Sequence, residues 1–191
     1  MMISDRFTVL TDANVLAPAL IRNMLLSLAQ AGLFRPRWSS KVLDETENTI
    51  AKFLKGDHEA ARRSRKAIEK AFPEALVSDY EQLVDGVNLP DPDDRHILAA
   101  AVQTRTAAIV TSNLKDFPEG VLKPFQIDAM LPDDFLSDVI DLYPQEAAAA
   151  LKRMRLRLNK PDYSADDFIL RAEKVGLPGT AALLADLRQS L

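Results

Sequence analysis

The stretch LPDPDDRHILAAA (89–101) sets three aspartates at the entrance to an apolar helix. Asp91 as N-cap with Pro92 at the first helical position follows the preferences of both residue types. Asp93 then falls in the first turn, where the macrodipole favours a carboxylate by about 0.3–1 kcal/mol. Asp94 reads differently. At about 100° per residue, Ile97, Leu98, Ala101 and Val102 all lie within about 80° of it, so its carboxylate is in line with the buried stripe. An unpaired charge aimed at the interior is costly, which predicts that Asp94 faces a cleft. Other acids stand where open α/β sheets carry sites, at strand ends: Asp12 after FTVLT, and Asp116 in TSNLKDF (111–117). Glu45 borders the apolar face of its own helix, with Asp44 and Glu47 turned further out. Each has an ordinary alternative. Asp12 and Asp116 could be turn or capping residues, Asn113 a turn residue and Glu45 a solvated helix acid.

The chemistry open to such residues is narrow. The chain has no cysteine, which excludes thiol nucleophiles, zinc–thiolate sites and disulfides. His58 and His96 are the only histidines. His58 lies in a charged helix start and His96 turns away from Asp94 on the wheel, so both read as surface residues. General-base and covalent mechanisms are then poorly served. If the acids meet, ligands made only of oxygen select hard cations, Mg²⁺ or Mn²⁺ rather than zinc.

The elements that must position these residues alternate β and α patterns over the first two-thirds of the chain. FTVLTD (7–12) reads as a strand, followed by a helix with Pro18 in its first turn and Gly32 as its stop. RPRWS (35–39) is a short extended piece, with Trp38 a core residue. Ser39 or Ser40 caps a helix carrying Val42, Leu43, Ile50, Phe53 and Leu54 and ending at Gly56. A charged helix over 57–72 stops at Pro73. ALVS (75–78), AAIVTS (107–112) and FQIDAML (125–131) are further strands, and Pro132 opens a helix. Beyond it, 144–160, 164–176 and 179–191 read as helices, with Ser164 and Asp167 at capping-box spacing. The expected division is an α/β domain over 1–131 and a helical extension over 132–191.

The chain has 191 residues and a net charge of −4, enough length for a real core and too little positive charge for a surface that grips nucleic acid all over. A local basic patch remains open, and its candidates are Arg35, Arg37, RRSRK (62–66), Lys115 and KRMRLRLNK (152–160). Either of the two runs could equally be a solvated helix face. No basic, apolar leader and no membrane-spanning run is visible, which predicts a cytoplasmic protein. With six glycines and no G-x-x-x-x-G-K pattern, a phosphate-cradling loop is not supported.

Four segments in order, VLTDANVL (9–16), SSKVLDETENTI (39–50), DPDDRHILAAA (91–101) and IVTSNLKDF (109–117), resemble the PIN domain, the fold of small metal-dependent nucleases that includes VapC-type toxins. The resemblance implies a mostly parallel sheet between helical layers. It also implies an acidic quartet of Asp12, Glu45, Asp94 and Asp116, with Asp12, Asp94 and Asp116 as metal ligands and Glu45 either binding metal or orienting water. Asn14 would brace the Asp12 turn, while Thr111 and Asn113 would shape the Asp116 corner. Acids so gathered repel by roughly 3 kcal/mol per pair at ~5 Å and an effective dielectric of 20, so they must take up protons or a cation. The implied activity is hydrolysis of RNA phosphodiesters by metal-activated water, with Lys115, Arg35 and Arg37 flanking the cleft. The implied partners are RNA, a separately encoded antitoxin and a second copy of the chain. Two other readings stay open: a non-catalytic module whose acidic cleft docks a basic segment, and a phosphorylatable receiver-like domain. The latter fits less well, because Thr11 stands where a paired acid is usual.

Overall fold

The computed structural model describes residues 7–158 and 163–191. In chain order its elements are β1 (Thr8–Thr11), α1 (Ala13–Leu16), α2 (Ala19–Gln30), β2 (Arg35–Ser39), α3 (Ser40–Phe53), α4 (His58–Ala71), β3 (Leu76–Val77) and α5 (Glu81–Val84). Then come α6 (Arg95–Thr104), β4 (Ala108–Val110), α7 (Glu119–Leu122), β5 (Asp128–Met130), α8 (Pro132–Leu142), α9 (Pro144–Arg157), α10 (Ala165–Lys174) and α11 (Pro178–Asp186).

The five strands form one parallel sheet in the order β3-β2-β1-β4-β5. Val9 and Leu10 of β1 and Ile109 and Val110 of β4 are wholly buried, as parallel strands covered on both faces must be. From β1 the chain winds outward to β2 and β3, then returns to β4 on the other flank. The loops leaving β1 and β4 therefore diverge, and in such sheets the crevice between them is where ligands bind. This is the expected α/β architecture of a parallel sheet flanked by helices.

By internal contacts the chain divides into two compact units. The first holds the residues up to Pro18 and Arg35–Met130, and contains the whole sheet. Its core is anchored by Trp38, which stacks edge-on against Phe72 at 6.0 Å. The second holds Ala19–Phe34 and Leu131–Leu191. There α2 packs on α9, α8 on α9 and α11, and α10 on α11, with Phe34 edge-on to Phe135 at 4.9 Å. Asp133 caps α11 by accepting from the Gly179 and Thr180 N–H groups at 2.8 Å. Ser164 and Asp167 form the expected capping box on α10.

Several boundaries differ from the sequence reading. The helix after Asp12 is broken into α1 and α2, because Pro18 falls beyond the first turn, where it has no N–H to continue the helix, and lies between the two. Gly32 does end α2, in the left-handed region at φ 73°. The strand read over 125–131 is confined to Asp128–Met130, behind a tight turn at Lys123–Phe125. Helices α5 and α7, one turn each, carried no periodic signal. On α3, Val42, Leu43 and Ile50 are buried, but Phe53 and Leu54 are exposed at its frayed end. Asn159 and Lys160, read as the end of a helix, lie outside the described residues.

Candidate active site

Asp12 follows β1 directly and its carboxylate is 7% exposed. Its Oδ2 accepts from Asn14 Nδ2 at 2.6 Å and from Thr111 Oγ1 at 2.7 Å. Asn14 also donates to Thr111 Oγ1 at 3.1 Å, and its Oδ1 accepts from the Ser112 N–H at 2.9 Å. Asn14 thus ties the end of β1 to the end of β4. Thr111 Oγ1 accepts in turn from the Asn113 N–H at 3.1 Å, and Asn113 Nδ2 donates to Asp116 Oδ2. Burial raises the pKa of Asp12. The Thr111 hydroxyl and the Ala13 and Asn14 N–H groups pull it back, and the Glu45 charge raises it further.

The stretch before α6 begins with a 3₁₀ turn, Pro92–Asp94, in place of α-helix. Asp91 caps that turn by accepting from the Asp93 N–H at 2.9 Å, and α6 proper starts at Arg95. Asp94 occupies the N-cap position of α6 but makes no capping hydrogen bond with its side chain. Its carboxylate is left to face the other acids. One oxygen each from Asp91, Asp94 and Asp116 lie within 4.8 Å of one another. Partial burial, then the charges of Asp12, Asp91 and Asp116, push the Asp94 pKa up to about 6.

Those carboxylates suit one kind of guest. They are hard oxygen donors, held close enough to share one cation, and Asp94 shows the electrostatic cost of their meeting without one. A divalent cation with a taste for oxygen fits; a soft metal does not, since no thiolate is available.

Sequence reasoning gave Asp91 a structural role only. It has that role, and it also belongs to the acidic group. The signal was present in the D-P-D-D spacing, but an α-helical start would have turned Asp91 away, whereas the 3₁₀ turn gathers it in. His96 is the larger correction. It is 4% exposed, not a surface residue, with Nε2 3.3 Å from Glu45 Oε1 and Nδ1 3.5 Å from Ser39 Oγ. Helix α6 does not have a single apolar face. Residues His96–Ala101 are all buried, and six successive apolar residues from Ile97 are the mark of a helix covered all round. His58, by contrast, is exposed as expected.

Glu45 is half-buried on α3, between His96 and Lys41, whose Nζ is 3.9 Å from Oε1. Lys115 is exposed in the 3₁₀ turn Leu114–Asp116, beside Asp116. Arg35, Arg37 and the 62–66 run, the other candidates of the first unit, are engaged elsewhere. Arg35 pairs with Thr8 at the opposite end of the sheet from Asp12. Arg37 donates to the Glu74 carbonyl at 2.6 Å. In the 62–66 run, Arg65 bonds Asp44 and Glu69, while Arg62 and Arg63 lie against Glu47 and Glu59. That run is a helix face tied to acids of its own surroundings.

The profile of the family described as PIN domain matches residues 8–115, and that of the VapC50 C-terminal domain matches 132–186. A curated protein of Mycobacterium tuberculosis named "Putative ribonuclease VapC50" is 48% identical over 80 residues. That alignment covers 42% of this chain and 47% of the relative, so the chain matches about half of the relative's length. No solved structure matches the chain.

Proposed function

The chain belongs to the PIN-domain family, and from that premise we propose that it is a metal-dependent endoribonuclease, the toxin of a toxin–antitoxin pair. The observation that carries this reading is the meeting of Asp91, Asp94 and Asp116 within 4.8 Å, beside the buried Asp12. Asp12, Asp94 and Asp116, joined by Asp91, would hold Mg²⁺ or Mn²⁺. When bound, the ion supplies an acidified water as nucleophile and offsets charge on the scissile phosphate.

The chain's own residues do the rest. Asn14 and Thr111 hold Asp12 in one rotamer, since each donates to the same carboxylate oxygen, and the Thr111 hydroxyl opposes the rise in pKa that burial causes. Asn113 orients Asp116 by donating from Nδ2 to its Oδ2. Glu45, partly exposed and within electrostatic reach of Asp12, orients water at the groove. Lys115 is the cation best placed to meet an RNA phosphate, and nothing comparable supports Arg35 or Arg37.

Further elements of the proposal are a separately encoded antitoxin whose basic segment enters the acidic groove, a homodimer, and action on cytoplasmic RNA. The curated relative carries the word ribonuclease in its name, which supports the substrate class. The deciding experiment is incubation of total RNA with purified protein in Mg²⁺, Mn²⁺ or EDTA, alongside Asp94→Asn. Discrete products that require both the ion and Asp94 are expected. A fully active Asp94→Asn protein would remove the assignment.

A further inference from the structure

One polar chain in the first unit enters the scheme above only at its outer end: Ser39, His96 and Glu45. Ser39 is wholly buried at the N-cap of α3, and its Oγ accepts from the Val42 N–H at 3.2 Å. That bond uses one lone pair and leaves the hydroxyl proton to be directed elsewhere. The His96 Nδ1 atom, 3.5 Å away, is the acceptor within reach. If Nδ1 accepts, the ring proton must be on Nε2. Nε2 is buried, with no partner in hydrogen-bond geometry among the described residues, and Glu45 Oε1 stands 3.3 Å from it. The opposite tautomer would set a nitrogen lone pair against a carboxylate oxygen and leave the Ser39 proton without an acceptor. Burial makes either fault costly.

We propose, resting on the reading of the acidic groove above, that His96 is a positioning residue: it directs an Nε2–H at Glu45 Oε1, 3.3 Å away, and holds that carboxylate at the groove, while Ser39 fixes the tautomer that makes this possible. The arrangement looks like a Ser–His–acid nucleophile, but it cannot act as one. Ser39 is sealed from solvent and bonded to the start of α3, so no substrate reaches its oxygen. The sense of the chain is outward, from a buried cap through an imidazole to a half-exposed acid. Partners of this kind, standing behind a metal site, typically contribute 10–100-fold in metal affinity or activity.

The test has two arms. In the first, two-bond ¹H–¹⁵N spectra of the wild-type protein report the tautomer of each histidine, with His96 assigned by its loss in His96→Gln. A ring carrying a proton on Nε2 is expected; a ring protonated on Nδ1 alone overturns the inference. In the second, Mn²⁺ affinity and RNA cleavage are measured for His96→Leu, His96→Gln, Glu45→Gln and the Leu/Gln double variant, each checked for folding. His96→Leu should lose about 10–100-fold, and His96→Gln, whose Nε2 can donate from near the same place, should recover most of it. The double variant should be no worse than Glu45→Gln alone, because the two side chains act as a unit. Losses that multiply, or a folded His96→Leu protein with wild-type affinity and rate, overturn the inference. The Asp94→Asn control separates the two readings. A wild-type protein that neither binds Mn²⁺ nor cleaves would refute the metal reading, and the tautomer would still decide the His96–Glu45 contact.

Discussion

Asp94 concentrates the site's electrostatics in one carboxyl group. Its pKa stands near 6 against an ordinary 3.8, so in metal-free protein the folded state favours the protonated form. Between those two values the folded state binds more protons than the unfolded one, and stability must fall as pH rises through about 6. Thermal unfolding in EDTA should therefore show the melting temperature declining from pH 5 to pH 7, and Asp94→Asn should flatten that decline. Added Mn²⁺ should raise the melting temperature of the wild type above pH 6 and do little below it, where protons compete for the same oxygens. Equal stabilisation by Mn²⁺ at pH 5 and pH 7.5 would show that these acids are not its ligands. Thr111 makes a second case. Its hydroxyl donates to a buried carboxylate from a wholly buried position. Thr111→Val keeps the shape and removes the donor, so it should cost about 1.5–3 kcal/mol in urea unfolding at neutral pH, in the range of hydrogen bonds to charged groups.

At the scale of elements, the two helix starts nearest the site behave in opposite ways. Helix α3 has a working cap: Ser39 accepts from Val42 N–H, so Ser39→Ala should lower stability by about 0.5–2 kcal/mol in urea unfolding. Helix α6 has Asp94 in the cap position with its side chain turned to other acids. At its far end Arg105 sits at φ 50° as a left-handed C-cap, a conformation that favours glycine. Arg105→Gly should raise stability by up to about 1 kcal/mol, since the clash of a Cβ with the backbone in the left-handed region, of roughly that size, is relieved. These two starts also explain what could be read from sequence. The strand ends were legible because β-branched runs stop at Asp12 and Thr111, and polarity at a strand end is conspicuous. The inward aim of Asp94 was legible from the apolar spacing after it. His96 and Asp91 were misjudged for a common reason: a wheel drawn at 100° per residue presumes both regular α-helix and one solvated side. Here the first turn is 3₁₀ and the helix has no solvated side until Gln103. Arg35 failed differently, since strand direction puts the two ends of β2 at opposite edges of the sheet, and only the strand order reveals which edge carries the acids.

At the scale of the whole molecule, the sheet unit and the helical unit are interleaved in sequence. Helix α2 lies between β1 and β2, yet it packs with α9 in the second unit, burying Ile21, Met24, Leu25 and Leu28. Among the described residues no helix is long and apolar enough to cross a membrane. A chain ended after Leu131 would keep α2 and lose α9. It should be recovered aggregated, or as a species with helical far-UV signal and weak near-UV signal, where the full chain gives sharp tertiary structure. A well-folded, monomeric 1–131 fragment would refute this. The same interleaving sets a clock on biosynthesis. Roughly 110 residues of chain separate the end of α2 from the start of α9. At about 5–20 residues per second, the ribosome takes roughly 5–20 s to deliver the partner. Throughout that interval the nascent α2 lacks α9, the helix it packs against. Limiting the chaperones that shield nascent apolar surface should therefore reduce the yield of soluble protein before it affects the rate of its translation.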